Sequence, residues 1–491
     1  MMKKLVCLFL TFVFVFTMLC ACGDDPDTTP NDPNVPDAPD APNAPDERPE
    51  EGTVAGVLYD FEKKNYDIEF LTAASNSVSS KFSIDQFPVN DGIVGQTVQD
   101  ALFSRDRAIE EHLGIKLVYD DVPDHQMFDK ISNTIRSGDD IYSLVLGRLY
   151  DVSVGMFQND LVYDLRSIDT IDLTQPYWNQ NSVDAFTLND KTFMATGAIT
   201  NRYIYAPYAL LFNMRLLNDI GQVSPYELIE NEVWTFENFR YMIMDTHAEI
   251  NGNDKPDIGD FYGLAPADDS QTAWFFAAGG RFSNTNEDGE IIPVYEEPYN
   301  YNLLTEVLEF HKTTDVMKYN AVYDSLATFK EGRAVFHAVA LGDINMLADM
   351  EDKYGIVPLP KYDDDQEHYY SNTNKYVNTM ALIPTSVKNT SMVGNIVEVM
   401  AAVSQVTSLD KQYDTVLLHR QALDAQSKAS LQLVVEASSY DWIYVLDPAS
   451  VSTQIRLAMK GESGSKEFSS FFASVREPVQ VALDELEQMH Q

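Results

Sequence analysis

Strand-like and helix-like segments alternate along the first part of the globular region, and this alternation limits the fold more than any other feature. Strand patterns at 66–72, 115–122 and 139–147 enclose helical patterns at 100–113 and 128–137. Such an order favours a parallel or mixed sheet covered by helices, which is the α/β class. Ligands on these sheets bind at the carboxyl ends of the strands. We expect those ends at 74–77 and 147–150.

The N-terminus shows the pattern of an export signal. Two lysines precede an apolar run over 5–19, which is somewhat short for the roughly 20 residues of a transmembrane helix. The tetrapeptide LCAC at 19–22 resembles the bacterial lipobox, which implies that 1–21 is a signal peptide and that Cys22 becomes lipidated. A redox or zinc site would need further Cys or His partners nearby, and none follows. We therefore expect an extracytoplasmic protein, anchored by Cys22 to the outer face of the cell membrane.

Residues 22–51 form a separate zone that begins with the lipidated cysteine. From Pro30 to Pro45 every third residue is proline, with Asp, Asn, Ala, Val and Glu in the zone. Polyproline II has three residues per turn, so these prolines line one edge of an extended chain. Because hardly any apolar side chain is available to pack, the zone predicts a stalk of about 3.1 Å per residue between the membrane and the body.

The charge and the cysteine content exclude several classes of function. The formal net charge is −42, so the phosphates of a nucleic acid would be repelled, and we expect no nucleic-acid partner. We also expect contact with the membrane through the lipid alone. No cysteine follows Cys22. The body therefore relies on its core without disulfides, and it has neither thiol catalysis nor thiolate metal sites.

Several segments of the body form an ordered series along nearly its whole length. They read SGDDIYSLVLG from 137, QPYWNQNSVDAF from 175, YALLFNMRLLNDIG from 208, WTFENF from 234, FKEGRAVFHAVALGDINML from 329, YGIVPLPK from 354 and MALIPTSVK from 380. The series resembles the extracellular solute-binding proteins of ABC importers, whose best-known members take up oligosaccharides. The resemblance implies a periplasmic-binding-protein-like fold, in which two α/β lobes joined by a hinge close on a ligand in the cleft between them.

The resemblance also implies how the chain divides between the lobes. The first lobe takes 52–207 and 379–407, the second lobe takes 208–378, and the helical C-terminal segment 408–491 belongs mainly to the second lobe. The sequence has no GxxxxGK[ST] nucleotide loop and no later membrane span. We therefore expect a monomeric receptor that works with separate ABC permease subunits.

A sugar site needs flat aromatic rings and polar groups that bind hydroxyls. The stretches that correspond to the cleft of the family supply these expected ligand-binding residues: Ser75, Asn76, Arg148, Tyr150, Tyr177, Trp178, Trp274, Tyr440, Asp441 and Trp442. Core or interface packing is the other interpretation for the tryptophans, and capping of local backbone is the other interpretation for Asp441. We interpret Trp234 as a core residue.

One acidic loop has the oxygen spacing of an EF-hand. Positions 1, 3, 5, 7, 9 and 12 of that pattern fall on Glu249, Asn251, Asn253, the Lys255 carbonyl, Asp257 and Asp260. Two departures weaken the match, since Asp254 stands where a glycine is wanted and the last ligand is an Asp rather than a bidentate Glu. The loop is therefore interpreted either as a Ca²⁺ site or as a plain Asx-rich turn, and no other cofactor is expected.

The sequence predicts binding without turnover, and so a protein that is not an enzyme. An acidic glycoside-processing enzyme is one alternative, since glycoside hydrolysis needs two carboxylates and this chain has many from which a pair could come. No H-E-x-x-H or G-x-S-x-G motif supports it, and His337, within the apolar run AVFHAVAL, is interpreted as a core histidine. A solute sensor for a signalling kinase is the other alternative. Lipid-anchored uptake of an oligosaccharide is the function that we expect.

Overall fold

Two mixed β-sheets covered by helices organise the described residues of this computed structural model. The structure describes residues 48–66, 68–77, 88, 92, 97–200, 202–253, 255–268, 270–286, 289–318, 324–418, 425–461 and 467–490, without the side chains of 68–71, 75–77, 124, 415–418 and 425. The expected signal peptide, lipidated Cys22 and most of the stalk lie outside these residues. The chain from Arg48 onward forms one compact unit.

The described strands are short and fall mainly into these two sheets. They are β1 Ile68–Ser77, β2 Ile115–Pro123, β3 Leu144–Arg148, β4 Thr187–Leu188, β5 Lys191–Thr192, β6 Tyr208–Asn213, β7 Tyr262–Pro266, β8 Ser283–Thr285, β9 Ile291–Pro293, β10 Ala334–Ala340, β11 Tyr354–Val357, β12 Ser371–Asn372, β13 Thr379–Leu382 and β14 Ser438–Ser439. The first sheet has the order β13-β3-β1-β2 and the second has the order β11-β6-β10-β7. The pairs β4–β5, β8–β9 and β12–β14 form small two-stranded sheets.

Helices cover both sheets. They are α1 Val54–Tyr59, α2 Thr97–Leu113, α3 Asp124–Arg136, α4 Val154–Gln158, α5 Gln180–Ala185, α6 Met214–Asp219, α7 Pro225–Glu230, α8 Phe236–Ile243, α9 Gln271–Ala277, α10 Pro298–His311, α11 Asp324–Lys330, α12 Thr390–Gln405, α13 Ser408–Leu418, α14 Ala425–Glu436, α15 Trp442–Leu446, α16 Val451–Met459 and α17 Phe468–His490. The expected α/β architecture of two lobes is confirmed, with one sheet in each lobe.

The central strands are apolar runs because helices bury both faces of each sheet. Every residue of β6 and β10 is buried. Within β10, the Nδ1 atom of His337 lies 2.6 Å from the carbonyl oxygen of Ala265, and burial lowers the pKa of His337 to about 4. His337 is therefore a neutral core residue, as the sequence predicts.

The first sheet differs from the sequence prediction at the end of β1. We expected a turn at 74–77 because that stretch is rich in Ser and Asn, but the strand continues to Ser77. Parallel pairing with β2 extends as far as Ser77 opposite Pro123, and β3 pairs with β1 on its other edge. Ladder hydrogen bonds on both edges, together with the small buried side chains of Ala73 and Ala74, outweigh the turn preference of the polar residues.

Two connecting segments run side by side between the lobes. Pro207, just before β6, forms an antiparallel bridge with Thr373, which follows β12. The N–H of Asn374 donates to the carbonyl oxygen of Ala206 over 2.8 Å. The second segment then leads into β13, which returns to the first sheet and pairs with β3. This pairing holds the lobes at a common junction.

The C-terminal helices are shared between the lobes, whereas we expected them mainly in the second. α14 packs on β11 of the second lobe, but α13 contacts both α2 of the first lobe and the segment Leu341–Leu347 of the second. α17 ends on the first lobe, where the ring of His490 stacks on Phe157 with 4.2 Å between the centroids. The apolar side chains of this segment thus fill space on both sides of the junction.

One helical stretch in the described part, Thr390–Asp414, is long and apolar enough to cross a membrane by length and composition alone. In the most apolar window of this stretch, 67% of the residues are buried inside the protein, where α12 packs against α1 and α2 and joins the apolar core of the first sheet. A core helix of a globular protein meets the same criteria.

Candidate functional site

The carboxyl end of β3 lies against the second connecting segment. The N–H of Leu149 donates to the carbonyl of Asn378 over 2.9 Å, and the N–H of Tyr150 donates to the carbonyl of Lys375 over 3.0 Å. The chain beyond the strand is thereby fixed at the lobe junction. Arg148 and Tyr150, two of the expected ligand-binding residues, are therefore placed together at a strand end.

Aromatic rings surround a buried lysine at this place. The rings of Tyr150 and Tyr376 meet with centroids 4.5 Å apart. The ammonium of Lys375 lies 5.2 Å from the centroid of Tyr150 and 4.8 Å from that of Tyr444, within the range of a cation–π contact. Tyr150 keeps 41% of its surface exposed, so part of this side chain is accessible to solvent.

Hydrogen bonds fix the ammonium of Lys375. It donates to the carbonyl of Tyr444 over 2.7 Å and to the hydroxyl of Ser452 over 3.1 Å. The carboxylate of Asp447 lies 3.9 Å away and balances part of the charge. A buried ammonium needs partners of this kind because removal from water is costly.

The same network reaches the second lobe through α16. One turn beyond Ser452, Arg456 forms an ion pair with Asp268 over 3.3 Å, and Lys460 pairs with the same carboxylate over 2.6 Å. Asp268 follows the carboxyl end of β7. We call Arg148, Tyr150, Asp151, Asp268, Lys375, Tyr376, Tyr444, Asp447, Ser452 and Arg456 the strand-end cluster.

Backbone strain marks the loop between α15 and α16. Asp447, Ala449 and Ser450 have positive φ values of 50°, 49° and 61°. Residues other than glycine rarely adopt this left-handed region, and such strain concentrates at functional sites. The carboxylate of Asp447 supports the loop by accepting from the N–H of Ser452 over 2.7 Å and from that of Thr453 over 3.3 Å.

The guanidinium of Arg148 is held within its own turn. Its Nε donates to Asp151 Oδ1 over 3.0 Å, and its Nη2 forms an ion pair with the other carboxylate oxygen. The side chains of Arg148 and Asp151 retain 20% and 28% of their surface. They therefore present a partly exposed charged pair in the same turn as Tyr150.

Trp274 does not belong to this cluster. It is 2% exposed and lies in the core of the second lobe, with its ring 4.8 Å from Phe239 and 5.3 Å from Phe310. The expected role in ligand binding is therefore not supported, and the core interpretation holds. Trp234 is fully buried in the same lobe, as predicted.

Tyr177 and Trp178 lie on another side of the first lobe, against α12. The hydroxyl of Tyr177 and the indole N–H of Trp178 donate to the two carboxylate oxygens of Glu398 over 2.5 and 3.2 Å. Burial raises the pKa of Glu398. Both aromatic residues hold a helix to the lobe and lie away from the strand-end cluster.

The segment 440–442 lies at the junction, and its three side chains are buried. Asp441, 4% exposed, caps α15 through the N–H of Tyr444 and accepts from the N–H groups of Phe282 and Ser283 over 2.9 and 2.8 Å. Because protein donors occupy both carboxylate oxygens, the capping interpretation of Asp441 holds, and burial raises the pKa of Asp441.

The two aromatic neighbours of Asp441 are also buried. The ring of Trp442 packs 5.0 Å from those of Phe157 and Phe186 and is 3% exposed, so it is a core residue. The hydroxyl of Tyr440 accepts a long hydrogen bond of 3.4 Å from Asn378. Ser75 and Asn76 lie in β1, and their side chains are outside the described part, so their expected role remains a prediction.

The acidic loop 249–260 is closed by its own hydrogen bonds. Glu249 Oε1 accepts from the N–H groups of Asn251 and Asn253, and Asp257 Oδ1 accepts from the side-chain amide of Asn251 over 2.7 Å. Asp260 is buried and accepts from backbone N–H groups. Among the described residues, no three Asp, Glu, His or Cys side chains converge as a metal site. The amide groups of the asparagines face Asp257, so ligation by their oxygens would require both amides to turn.

Several members of the strand-end cluster were not expected from the sequence. Lys375 and Tyr376 lie in a polar stretch that only the crossing between the lobes brings to β3, and Arg456 lies on a helix far along the chain. Two features of the sequence could have pointed to these residues: the Lys-Tyr pair in NTNKYVN and the Asp-Pro turn after α15. Neither signal indicates which neighbours it meets.

Replacement of Trp274 tests its place in the core. We expect Trp274→Ala to lower the free energy of unfolding by about 3–5 kcal/mol, because it leaves a cavity among phenylalanine rings. Tyr241→Ala removes an exposed aromatic side chain from α8 of the same lobe and is the matched control. Urea unfolding without ligand measures both, and equal midpoints for the two variants would place Trp274 outside the core.

No family model matches the sequence, and no curated protein matches it. Solved structures do match. A cyclo/maltodextrin-binding protein in complex with maltotetraose is 12% identical with a TM-score of 0.53, and the match covers 86% of this chain and 96% of that one. UspC of M. tuberculosis is also 12% identical, with a TM-score of 0.54 and coverage of 84% and 100%.

These matches cover most of this chain, and at this identity they bear on the fold. Their coverage of nearly the whole of each matched chain agrees with the two α/β lobes described above. The expectation from the sequence resemblance is confirmed at that level. The chain has a two-lobed, periplasmic-binding-protein-like α/β fold.

Proposed function

We propose that this chain is a lipid-anchored extracellular receptor that binds an oligosaccharide between its lobes and delivers it to an ABC permease. The observation that carries the proposal is the pair of partly exposed tyrosines, Tyr150 and Tyr376, packed together at the carboxyl end of β3. Strand ends of α/β sheets are where ligands bind, and this strand end lies against one of the two segments that connect the lobes.

The chemistry of the strand-end cluster suits a sugar. The apolar C–H face of a sugar ring packs on a flat aromatic side chain, while its hydroxyls need paired donors and acceptors. Tyr150 supplies the flat surface, and Arg148 with Asp151 supplies donors and acceptors beside it. Asp268, which is 29% exposed, supplies a further acceptor from the second lobe.

The ligand of one matched structure gives the first compound to test. The cyclo/maltodextrin-binding protein was solved with maltotetraose, which is a chain of sugar rings with alternating apolar faces and hydroxyl edges. The same combination of aromatic and charged groups in the strand-end cluster supports an oligosaccharide as the ligand class here.

Replacement of Tyr150 tests this assignment. Calorimetry against an oligosaccharide panel headed by maltotetraose should give saturable binding with the sugar recovered unchanged. Tyr150→Ala should weaken that binding roughly tenfold, or about 1.4 kcal/mol, since it removes the partly exposed ring. The unliganded melting temperature should stay close to that of the native protein.

The control is Tyr241→Ala, which removes a tyrosine that is 58% exposed on α8, away from the cluster. Its affinity should match that of the native protein. Equal affinities for both variants would contradict the proposed site. Conversion of the sugar to a product would instead favour the glycoside-processing enzyme, and a neighbouring kinase gene without permease genes would favour the sensor.

We also propose the loop 249–260 as a Ca²⁺ site, on the oxygen spacing of its residues. Calcium at about 1 mM should raise the melting temperature, as in extracellular calcium modules, and magnesium should not. Asp257→Asn should abolish the increase, whereas Asp219→Asn on α6 should retain it. A melting temperature that does not respond to calcium would leave the loop as an Asx-rich turn.

The proposed anchor depends on Cys22 alone. In a host that lipidates exported proteins, Cys22→Ser should move the protein from the membrane fraction to the soluble fraction, since the thioether can no longer form. Cys20→Ser changes the neighbouring cysteine, which would leave with the signal, and should remain in the membrane fraction. Mass spectrometry that finds native Cys22 without an acyl group would contradict the anchor.

A further inference from the structure

A cavity opens at the lobe junction, apart from the strand-end cluster. It has a volume of about 650 Å³. Its wall combines α5 of the first lobe, Arg281 of the second lobe, the segment 368–370 and the end of α14 with the residues up to Tyr440. No member of the strand-end cluster lines it. We call it the junction cavity, and its volume lies within the range of pockets that hold small molecules.

The inner wall of the cavity carries the guanidinium of Arg281, which lies near the buried carboxylate of Asp441. The guanidinium of Arg281 lies 4.4 Å from the ring centroid of Tyr370, and its Nη1 donates to the carbonyl of Gly280 over 2.7 Å. Among the described residues no carboxylate forms an ion pair with Arg281, because the nearby Asp441 is occupied by its own donors. The Nε and Nη2 donors have no partner in the described part of the chain and are not enclosed.

Two carboxylates lie at the rim of the cavity. Asp184 on α5 and Glu436 at the end of α14 are exposed, and neither is paired with a cation in the described residues. The side-chain amide of Asn181 joins these elements by donating to the carbonyls of Glu436 and Ser438, each over 2.8 Å. The cavity therefore has a positive inner wall and a negative rim, with tyrosine rings between them.

We propose that the junction cavity binds a small zwitterion of the dipeptide type, with its carboxylate on Arg281 and its ammonium facing Asp184 and Glu436. A guanidinium binds a carboxylate through two parallel hydrogen bonds, which the free Nε and Nη2 donors can supply. A polyanion is disfavoured by the rim carboxylates, and a simple cation is disfavoured by the inner guanidinium. The tyrosine rings favour an aromatic side chain on the ligand.

Occupation of this cavity is coupled to the angle between the lobes. Its walls come from both lobes, so a ligand that fits one angle binds less well at another. The bound zwitterion therefore favours one lobe arrangement, and by linkage any ligand that changes the lobe angle changes the affinity for the zwitterion. The binding itself does not depend on the proposed sugar function.

Three probes that differ only in their end charges test the proposal on the protein without sugar. They are alanyl-phenylalanine, its N-acetyl derivative and its C-terminal amide, measured by calorimetry and by ligand-observed NMR. The zwitterion should bind most tightly, the N-acetyl form at least tenfold more weakly, and the amide should not saturate. Equal affinities for the three probes, or no saturable binding of the zwitterion up to about 10 mM, would overturn the proposal.

Variants assign the two charged ends. Arg281→Gln should weaken alanyl-phenylalanine binding at least tenfold. Arg240→Gln, which changes an arginine over another aromatic ring on α8, should leave it unchanged. Tyr150→Ala should also retain binding, and its loss there would place the ligand in the strand-end cluster and overturn the assignment.

A variant of the two rim carboxylates tests the proposal independently, in case the Arg281→Gln protein does not fold. The double change Asp184→Asn with Glu436→Gln alters two exposed side chains and should leave the melting temperature of the protein unchanged. It should reduce the affinity for the zwitterion to that of the N-acetyl form and leave the N-acetyl form unaffected. An unchanged affinity for the zwitterion would contradict the role of the rim.

Discussion

The buried carboxylate of Asp441 holds the centre of this molecule together. It caps α15 and at the same time binds the N–H groups of Phe282 and Ser283 from the second lobe. The next residue, Trp442, packs between Phe157 and Phe186 of the first lobe. A short C-terminal segment is thus fixed to both lobes, and removing the carboxylate would leave three backbone donors buried without a partner.

Both candidate sites depend on that segment. On one side, the carbonyl of Tyr444 and the hydroxyl of Ser452 hold the ammonium of Lys375, which in turn lies under the ring of Tyr150. On the other side, Tyr440 contributes to the wall of the junction cavity that Arg281 lines. A change in the position of 440–444 would therefore alter the strand-end cluster and the junction cavity together.

Helices and strands are predicted well where the spacing of apolar residues matches the pattern of burial. The roles of single side chains are predicted poorly, because a role in ligand binding or in the core depends on whether the folded chain buries the side chain. The helix over 100–113 appears as Thr97–Leu113 and ends at Gly114, whose φ of +61° suits the left-handed end of a helix. The turn expected at 74–77 is a strand, because pairing on two edges outweighs local preference. Trp178, Trp274 and Trp442 are among the ligand-binding residues that the sequence predicts, yet all three pack inside the protein.

The class of fold can be predicted from the order of the residues, because the alternation of strand and helix patterns reflects which faces of each element are buried. The same patterns predict the carboxyl end of β3, so Arg148 and Tyr150 lie where the sequence places them. The distant residues that meet them are set by the packing of the lobes. Lys375 reaches Tyr150 through the crossing of two connecting segments, and Arg281 faces Asp184 across a junction that no local pattern encodes. Contacts of such long range depend on how the lobes pack, and that packing is a property of the whole chain.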